Sequence, residues 1–467
     1  MTNQQQFRDP TSSLAAFAAN LRFENVPAAA VDRAKQCLMD SIGVMIGALQ
    51  LDEGKAIVSF AKVLAAGGNE DTTVLGAGKL PPIQAIFANG CLSETLEMQD
   101  GRPQTGLHPC SSVIPAALAA GETKGISGRD LLTALLAGYE VVSRIGAATH
   151  ARSFGRIMTT GTFGAFGAAA AAGNAWKLPA EVILNAFGVA GFLTPLCIGE
   201  NFWAGVSCKT FKGGQGAEVG MKSLLAAIHG FAGSPNILVG SPPRYVGVCS
   251  VLVPEAALHL IDEKLGEEFA IVQVYFKPYP SGRINHGAID CVQALLAQHQ
   301  LKAGNIKRVT VRANSNTAWT VGQVRTTVES PLGQCLLSLP YAVAVTLIDG
   351  EYTLRQILPA RRADPAVHAL ANRVVVEASA DFDAMGPATR PTAVEIETAG
   401  EQVVSSRVDY PKGDYRNPMS WSEVEAKYRQ LTGPVLAATQ ISESIAMIRS
   451  IESLDNVRKL TALLRPR

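Results

Sequence analysis

Residues 161–173 read GTFGAFGAAAAAG, the most apolar stretch of the chain, and the reading of this run decides the fold. A bilayer span needs about 20 predominantly apolar residues; this run is shorter and built of Gly and Ala rather than Leu, Ile and Val. Gly161, Gly164 and Gly167 recur every third residue. That step puts them on one face of a helix and does not match a dinucleotide-binding loop. Small residues on one face suit close helix–helix packing, so the spacing predicts a helix packed among other helices.

The flanking sequence carries the same signature. AAAVDRAKQCLMDSIGVMIGAL (28–49), PIQAIFANGCLSETLEM (82–98) and GRDLLTALLAGYEVVSRIGAAT (128–149) place apolar residues at three-and-four spacing. Several are apolar on most faces, as helices inside a bundle are. Pro27, Ser127 and Pro179 mark helix starts. Residues 11–265 therefore read as helix after helix, with no window offering a long Leu/Ile/Val-rich membrane span.

Beyond that point the period changes from 3.6 to two. AIVQVYF (270–276), IKRVTVRAN (306–314), NRVVVEAS (372–379) and TAVEIETAG (392–400) read as strands. GAIDCVQALLAQHQ (287–300) and LSLPYAVAVTLID (337–349) read as helices between them, and the tail from SWSEVEAKY returns to amphipathic helix. The expected fold is mainly α with a smaller α+β domain. A discontinuous all-helical domain spans 1–268 and 402–467, and an α+β unit with an open sheet spans 269–401.

With 467 residues, 47% hydrophobic and 17% charged, the chain is long enough for two globular cores. Lys plus Arg (41) nearly balances Asp plus Glu (40), which gives no electrostatic case for nucleic acid or a membrane surface as partner. The eight cysteines form no CxxC pair, against both a zinc ribbon and a disulfide framework. The N-terminus lacks a signal-peptide profile. A cytoplasmic protein is expected.

Ligands favour clefts between domains, so the candidate residues are polar ones able to face such a cleft. LEMQDGRPQTGLHPC (96–110) gathers Glu97, Asp100, Arg102 and His108 into one Gly- and Pro-broken stretch. His108, at a loop-to-helix junction, is held rigidly and can titrate near neutrality. His150 lies in a loop-like stretch near Arg152 and Arg156, with its role left open. His286 precedes a helix and suits capping or packing. His229, His259, His299 and His368 sit in helical patterns as packed or surface residues.

The cations form a second group. In SCKTFKGGQGAEVG (207–220), Lys209 and Lys212 precede Gly213, Gly214 and Gly216, an arrangement that suits a carboxylate or, equally, a helix junction with two solvated lysines. FKPYPSGR (276–283) holds Lys277 and Arg283 around two prolines, and Arg144 and Arg156 lie near Tyr139 in sequence. Together they point to a small anionic molecule. No Walker sequence, nucleophile elbow, HExxH or strand-linked GxGxxG is present. No organic cofactor and no metal are expected, leaving acid–base chemistry by side chains.

Taken in order, several segments resemble the MmgE/PrpD (2-methylcitrate dehydratase-like) family. They include AKQCLMDSIGVMIGA, NGCLSETLEMQDGRPQTGLHPCSSVIPAALAAGE, TTGTFGAFGAAAAAG, KTFKGGQGAEVGMKSLLAAIHGFAGSPNILVG, FKPYPSGRINHGAID and YPKGDYRNPMSWSEVEAKY. The resemblance implies a large all-helical domain with an α/β lid, a homodimer, and an interdomain pocket for small di- or tricarboxylates. Family activities include 2-methylcitrate dehydratase, cis-aconitate decarboxylase and iminodisuccinate epimerase. His108, Lys209 and Lys277 match the family's motif positions.

Three departures stand out. The family's acidic Asp-aromatic-Asp-Asp-Thr loop reads Glu97-Met98-Gln99-Asp100-Gly101 here. Met158 stands where a histidine precedes the Thr-Gly-Thr turn, and Lys212 replaces the histidine of a Lys-x-x-His segment. A dehydratase needs a base for the carbon-bound proton and an acid for the leaving oxygen, so losing acidic and imidazole groups while keeping cations disfavours that chemistry. It suits proton movement beside a carboxylate, where each well-placed donor to an enolate-like intermediate is worth about 3 kcal/mol.

The expectation is a cofactor-independent, iminodisuccinate-type epimerase. His108 is one acid/base, Lys209 its partner or the enolate-stabilising cation, and Tyr139 or His150 serves the opposite face. Lys212, Lys277, Arg283 and Arg144 bind carboxylates, while Glu97 and Asp100 orient His108 or close the loop. The alternative is a hydro-lyase or decarboxylase acting on a 2-methylcitrate- or aconitate-like tricarboxylate. A relative that binds carboxylates without catalysis is a third reading.

Overall fold

The helix around residue 161 is the centre of the molecule. A computed structural model describes residues 9–153, 156–241, 244–386 and 388–466. Its N-terminal body contains α1 (Ala28–Gly47), α2 (Pro82–Thr95), α3 (Cys110–Lys124), α4 (Gly128–Ser153), α5 (Thr159–Ala175), α6 (Ala180–Leu193) and α7 (Phe211–Ile228). Every residue of α5 is buried. Its glycines let neighbours reach the backbone: a Cβ on Gly138 of α4 would lie 2.7 Å from the Gly167 carbonyl oxygen. Pro27 and Pro179 stand at the N-caps of α1 and α6, and Ser127 Oγ accepts the Asp130 N–H at 3.1 Å ahead of α4.

One sequence expectation needs correcting here. By length and composition the stretch Gly128–His150 of α4 is apolar enough to cross a membrane. Its most apolar window is 94% buried within the protein, so this helix is apolar because the bundle surrounds it.

The crossing of α2 and α7 is equally close. A Cβ on Gly213 would lie 2.3 Å from the Gly90 carbonyl oxygen. The glycines after Lys212 therefore serve helix contact, and α7 begins at Phe211, ahead of them; they do not form an anion cradle. Gly213→Ala is expected to cost about 1–3 kcal/mol through overpacking against rigid backbone, read as a lower urea midpoint, because no rotamer change relieves a contact with a carbonyl.

The α+β unit contains β1 (Ile306–Ala313), β2 (Val374–Ala378), β3 (Thr392–Thr398) and β4 (Val403–Val408), in the order β2-β1-β3-β4. The β1–β2 pair is parallel; β1–β3 and β3–β4 are antiparallel. Burial alternates residue by residue along β3, the period-two pattern made physical. Helix α8 (His286–Gln298) packs on β3 and β4, and α9 (Leu339–Asp349) packs on α8.

Two expectations fail. Residues 270–276 are not a strand: Ala270–Gln273 is a 3₁₀ turn, and only Tyr275 makes a bridge, to Gly101. The fourth strand is instead β4, so the expected boundary at 401/402 falls inside the β3–β4 hairpin and the unit runs on through Val408. The chain then returns to the helical body through α10 (Trp421–Thr432), which packs on α1. There Lys427 Nζ lies 2.7 Å from Asp40 Oδ1 and donates to the Met98 carbonyl oxygen.

Candidate active site

The loop between α2 and α3 is stitched to the segment entering the α+β unit. Gly101 N–H donates to the Tyr275 carbonyl at 3.2 Å, and Tyr275 N–H donates back at 2.8 Å. A Cβ on Gly101 would fall 2.4 Å from the Tyr275 hydroxyl, so only glycine permits this approach. The contact brings the 96–110 loop against residues 275–283, and a cavity of about 150 Å³ opens between them.

His108 is fixed at both ends. Its backbone N–H donates to Thr160 Oγ1 at 3.0 Å, and its ring Nδ1 lies 2.5 Å from the Asp100 carbonyl oxygen. A carbonyl only accepts, so Nδ1 carries the proton and Nε2 is the nitrogen left for a bound molecule. Burial, with Lys277 and Lys212 nearby, pushes the imidazole well below the usual histidine range. His108 is therefore neutral near pH 7.

Asp100 is held from behind. Its carboxylate accepts the Tyr139 hydroxyl at 2.6 Å and the Cys110 N–H at 3.2 Å. Burial raises it to about 6, even though these hydrogen bonds pull the other way. Tyr139→Phe removes one of them and is expected to move this titration further up, read as an upward shift of an acid limb near 6 in the pH–rate profile.

Beneath His108 lies a buried ion cluster. Glu97 Oε2 is 2.5 Å from Lys209 Nζ and its Oε1 is 3.0 Å from Lys277 Nζ. Burial alone would raise the Glu97 carboxyl, but Lys209, Lys277 and Lys212 hold it well below the usual carboxylate range. Its backbone sits at φ +53°, a conformation that side chains other than glycine rarely adopt, so the loop accepts strain to put this carboxylate between two ammonium groups. Lys212 Nζ stands 2.9 Å from Glu94 Oε2, a second buried ion pair. Glu94 also accepts from Gln99 and Ser111, at 2.6 and 2.7 Å.

The cavity wall thus brings together Glu97, His108, His150, Lys277 and Arg283. His150 is in the last turn of α4, not in a loop, and packs on Gly106, where a Cβ would come within 2.2 Å of its ring. Burial, then Arg390, pushes it down to about 4, so it is neutral.

The remaining expected residues lie off the wall. Asp100, Lys209 and Lys212 act from behind it. Tyr139 is fully buried with its proton committed to Asp100, which removes it as an acid/base for the opposite face. Arg144 is corrected as well: its guanidinium is spent on Glu140 at 2.6 Å and on the carbonyls of Glu263 and Lys264, beside a separate depression. His286 and His368 are packed; His368 is bonded on both ring nitrogens, to Thr326 and Arg362.

Sequence reasoning missed Tyr275 and Arg390 on the wall, and named Met158, also on it, only as a departure from the family's histidine. It noted Arg102, which donates to Gln273 at 2.8 Å, without assigning it to the site. Tyr275 was hidden in the run read as a strand, and Arg390 lies in no motif. Among the described residues, no group of three His, Cys, Asp or Glu side chains is placed to hold a metal ion.

Comparison with known proteins supplies the wider context. A family model of the MmgE/PrpD N-terminal domain matches residues 12–254, and one of the MmgE/PrpD C-terminal domain matches residues 279–453. A cis-aconitate decarboxylase of Aspergillus terreus is 26% identical, covering 97% of this chain and 95% of its own. The cis-aconitate decarboxylases of Mus musculus and Homo sapiens are each 24% identical over 97% of this chain, with 93% and 94% of their own lengths covered. These full-length matches overturn the expected epimerase. The departures from the dehydratase pattern argued only that no hydroxide is expelled, and loss of carbon dioxide meets that condition as well as epimerisation does.

Proposed function

The chain belongs to the MmgE/PrpD family, and from that premise we propose that it is a carbon–carbon lyase that decarboxylates cis-aconitate or a closely similar tricarboxylate. The observation that carries the reading is the pairing, on one wall, of a rigidly held neutral imidazole, His108, with the cations Lys277 and Arg283. The names of the full-length relatives support it.

The chemistry asks for what this wall offers. One carboxylate of cis-aconitate is attached to a methylene next to the double bond. When that C–C bond breaks, its electron pair forms a new double bond and the old π pair moves to the carbon beside another carboxylate. The result is carbon dioxide and an enolate-like anion, which one proton converts to an unsaturated five-carbon diacid. Cations at the retained carboxylates stabilise the spreading charge, and a side chain delivers the proton. In this reading Lys277 stabilises the anion, His108 delivers the proton, and the Glu97 and Asp100 networks fix both.

The test is proton NMR of cis-aconitate with the purified protein in buffered D₂O, with carbon dioxide measured in parallel. Carbon dioxide together with one deuterium in a new methylene supports the proposal. Citrate- or isocitrate-like signals without carbon dioxide would replace it with a hydro-lyase, and an unchanged spectrum would end the decarboxylase reading.

A further inference from the structure

The cavity that His108 and Lys277 line is also lined by Arg283 and Asp414. Arg283 is 9% exposed, and its Nη2 is anchored to Asp414 Oδ2 at 3.2 Å and the Pro411 carbonyl at 3.4 Å. Its guanidinium carbon lies 4.8 Å from the centre of the Tyr275 ring. Among the described residues its Nη1 is buried with no hydrogen-bond partner, in a side chain that lines the cavity. A buried, charged donor left without a partner is costly. Arg416 Nε donates to Asp414 Oδ1 at 2.8 Å and its Nη2 to Oδ2 at 3.2 Å, so two guanidiniums share one carboxylate, and Arg390 is a third guanidinium on the same wall.

Building on the decarboxylase reading, we propose that Arg283 is the specificity-determining receptor for a carboxylate that the substrate keeps, and that Asp414 positions it. The leaving carboxylate cannot be its ligand. That group gives up its charge as carbon dioxide, and a guanidinium clamped on it would stabilise the ground state more than the transition state. The guanidinium instead holds an unreactive carboxylate and selects triacids over diacids. Arg283 thus contributes to substrate affinity and orientation, and Lys277 and His108 to the chemical step.

The experiment is calorimetric binding of three inert probes to the full-length protein: tricarballylate, and the diacids glutarate and methylsuccinate, which each lack one of its carboxylates. Arg283→Gln is expected to weaken tricarballylate by about 10–100-fold, the scale of one charge-assisted hydrogen bond. It is expected to weaken one of the two diacids by less than about 3-fold, and that diacid identifies the carboxylate Arg283 holds. With cis-aconitate, KM rises by a similar factor and kcat falls by a smaller one, the split expected of a group that binds substrate more than it serves the chemical step. Arg283→Lys recovers part of the affinity. Asp414→Asn, which keeps the guanidinium but loosens it, gives an intermediate loss and keeps the proposal testable if the first variant folds poorly. Equal weakening of all three probes, or no weakening, overturns it. Arg283-dependent tricarballylate binding by a protein that leaves cis-aconitate intact would sink the decarboxylase reading alone.

Discussion

His108→Ala is expected to lower kcat for cis-aconitate decarboxylation by about 10²–10⁴-fold, the usual contribution of a positioned acid–base group, with substrate affinity changed far less. Two features set this result. The Asp100 carbonyl at 2.5 Å fixes the proton on Nδ1, so a second proton can go only to Nε2. Burial and the neighbouring lysines keep that second proton off. A bound trianion reverses the balance, because opposite charge beside the ring favours imidazolium. The reaction consumes one proton: a trianion becomes carbon dioxide and a dianion. On the proposed decarboxylase reading, His108 takes up a proton as substrate binds and gives it to carbon after carbon dioxide leaves. Calorimetry with tricarballylate in buffers of different ionisation enthalpy should show proton uptake by the wild type and its loss in His108→Ala. A variant with near-normal kcat, or wild-type binding without proton uptake, would remove His108 from this role.

What the sequence disclosed depended on how local each signal was. The Gly and Ala of 161–173 carry their own instruction, and α5 is buried throughout. The alternation of β1, β2 and β3 is equally local. The β4 strand was missed because Ser405 and Arg407 are exposed and Ser406 half-buried, so polar residues break its apolar rhythm. The run at 270–276 deceived for the opposite reason, being apolar because it is buried at the domain junction and not because it pairs in a sheet. At the site, His108, Lys277 and Arg283 stood out as ionisable residues in Gly- and Pro-rich loops. The setting of Lys209 did not, because its partner Glu97 is 112 positions away. Nor did the inward aim of Tyr139, since a helical tyrosine reads the same whether it faces a cavity or a buried carboxylate. The choice among family activities was less legible still, because decarboxylation and epimerisation both proceed through an anion beside a carboxylate.

Glu97→Gln is expected to destabilise the protein by about 3–5 kcal/mol at neutral pH, because removing one partner strands buried charge. Glu97 is 2% exposed and is the carboxylate within reach of both Lys209 and Lys277. A glutamine keeps the shape and an acceptor oxygen but no counter-charge, so both ammonium groups are left in a low-dielectric interior. Urea unfolding of wild type and variant measures the loss. The pH dependence gives an independent check. Glu97 is held well below the ordinary carboxylate range in the folded protein, so its stabilisation is fully present above the unfolded value of about 4.3. It is lost only as pH falls through the depressed folded value. The gap between wild type and Glu97→Gln should therefore be constant around neutrality and narrow in acid. A second substitution separates charge from packing: Lys277→Met in the Glu97→Gln background should recover part of the stability, since an apolar stem replaces a stranded ammonium, while activity stays lost. If Glu97→Gln unfolds at the wild-type urea concentration around neutrality, the cluster is not held by this carboxylate. The strain accepted at its φ of +53° would then have no electrostatic justification.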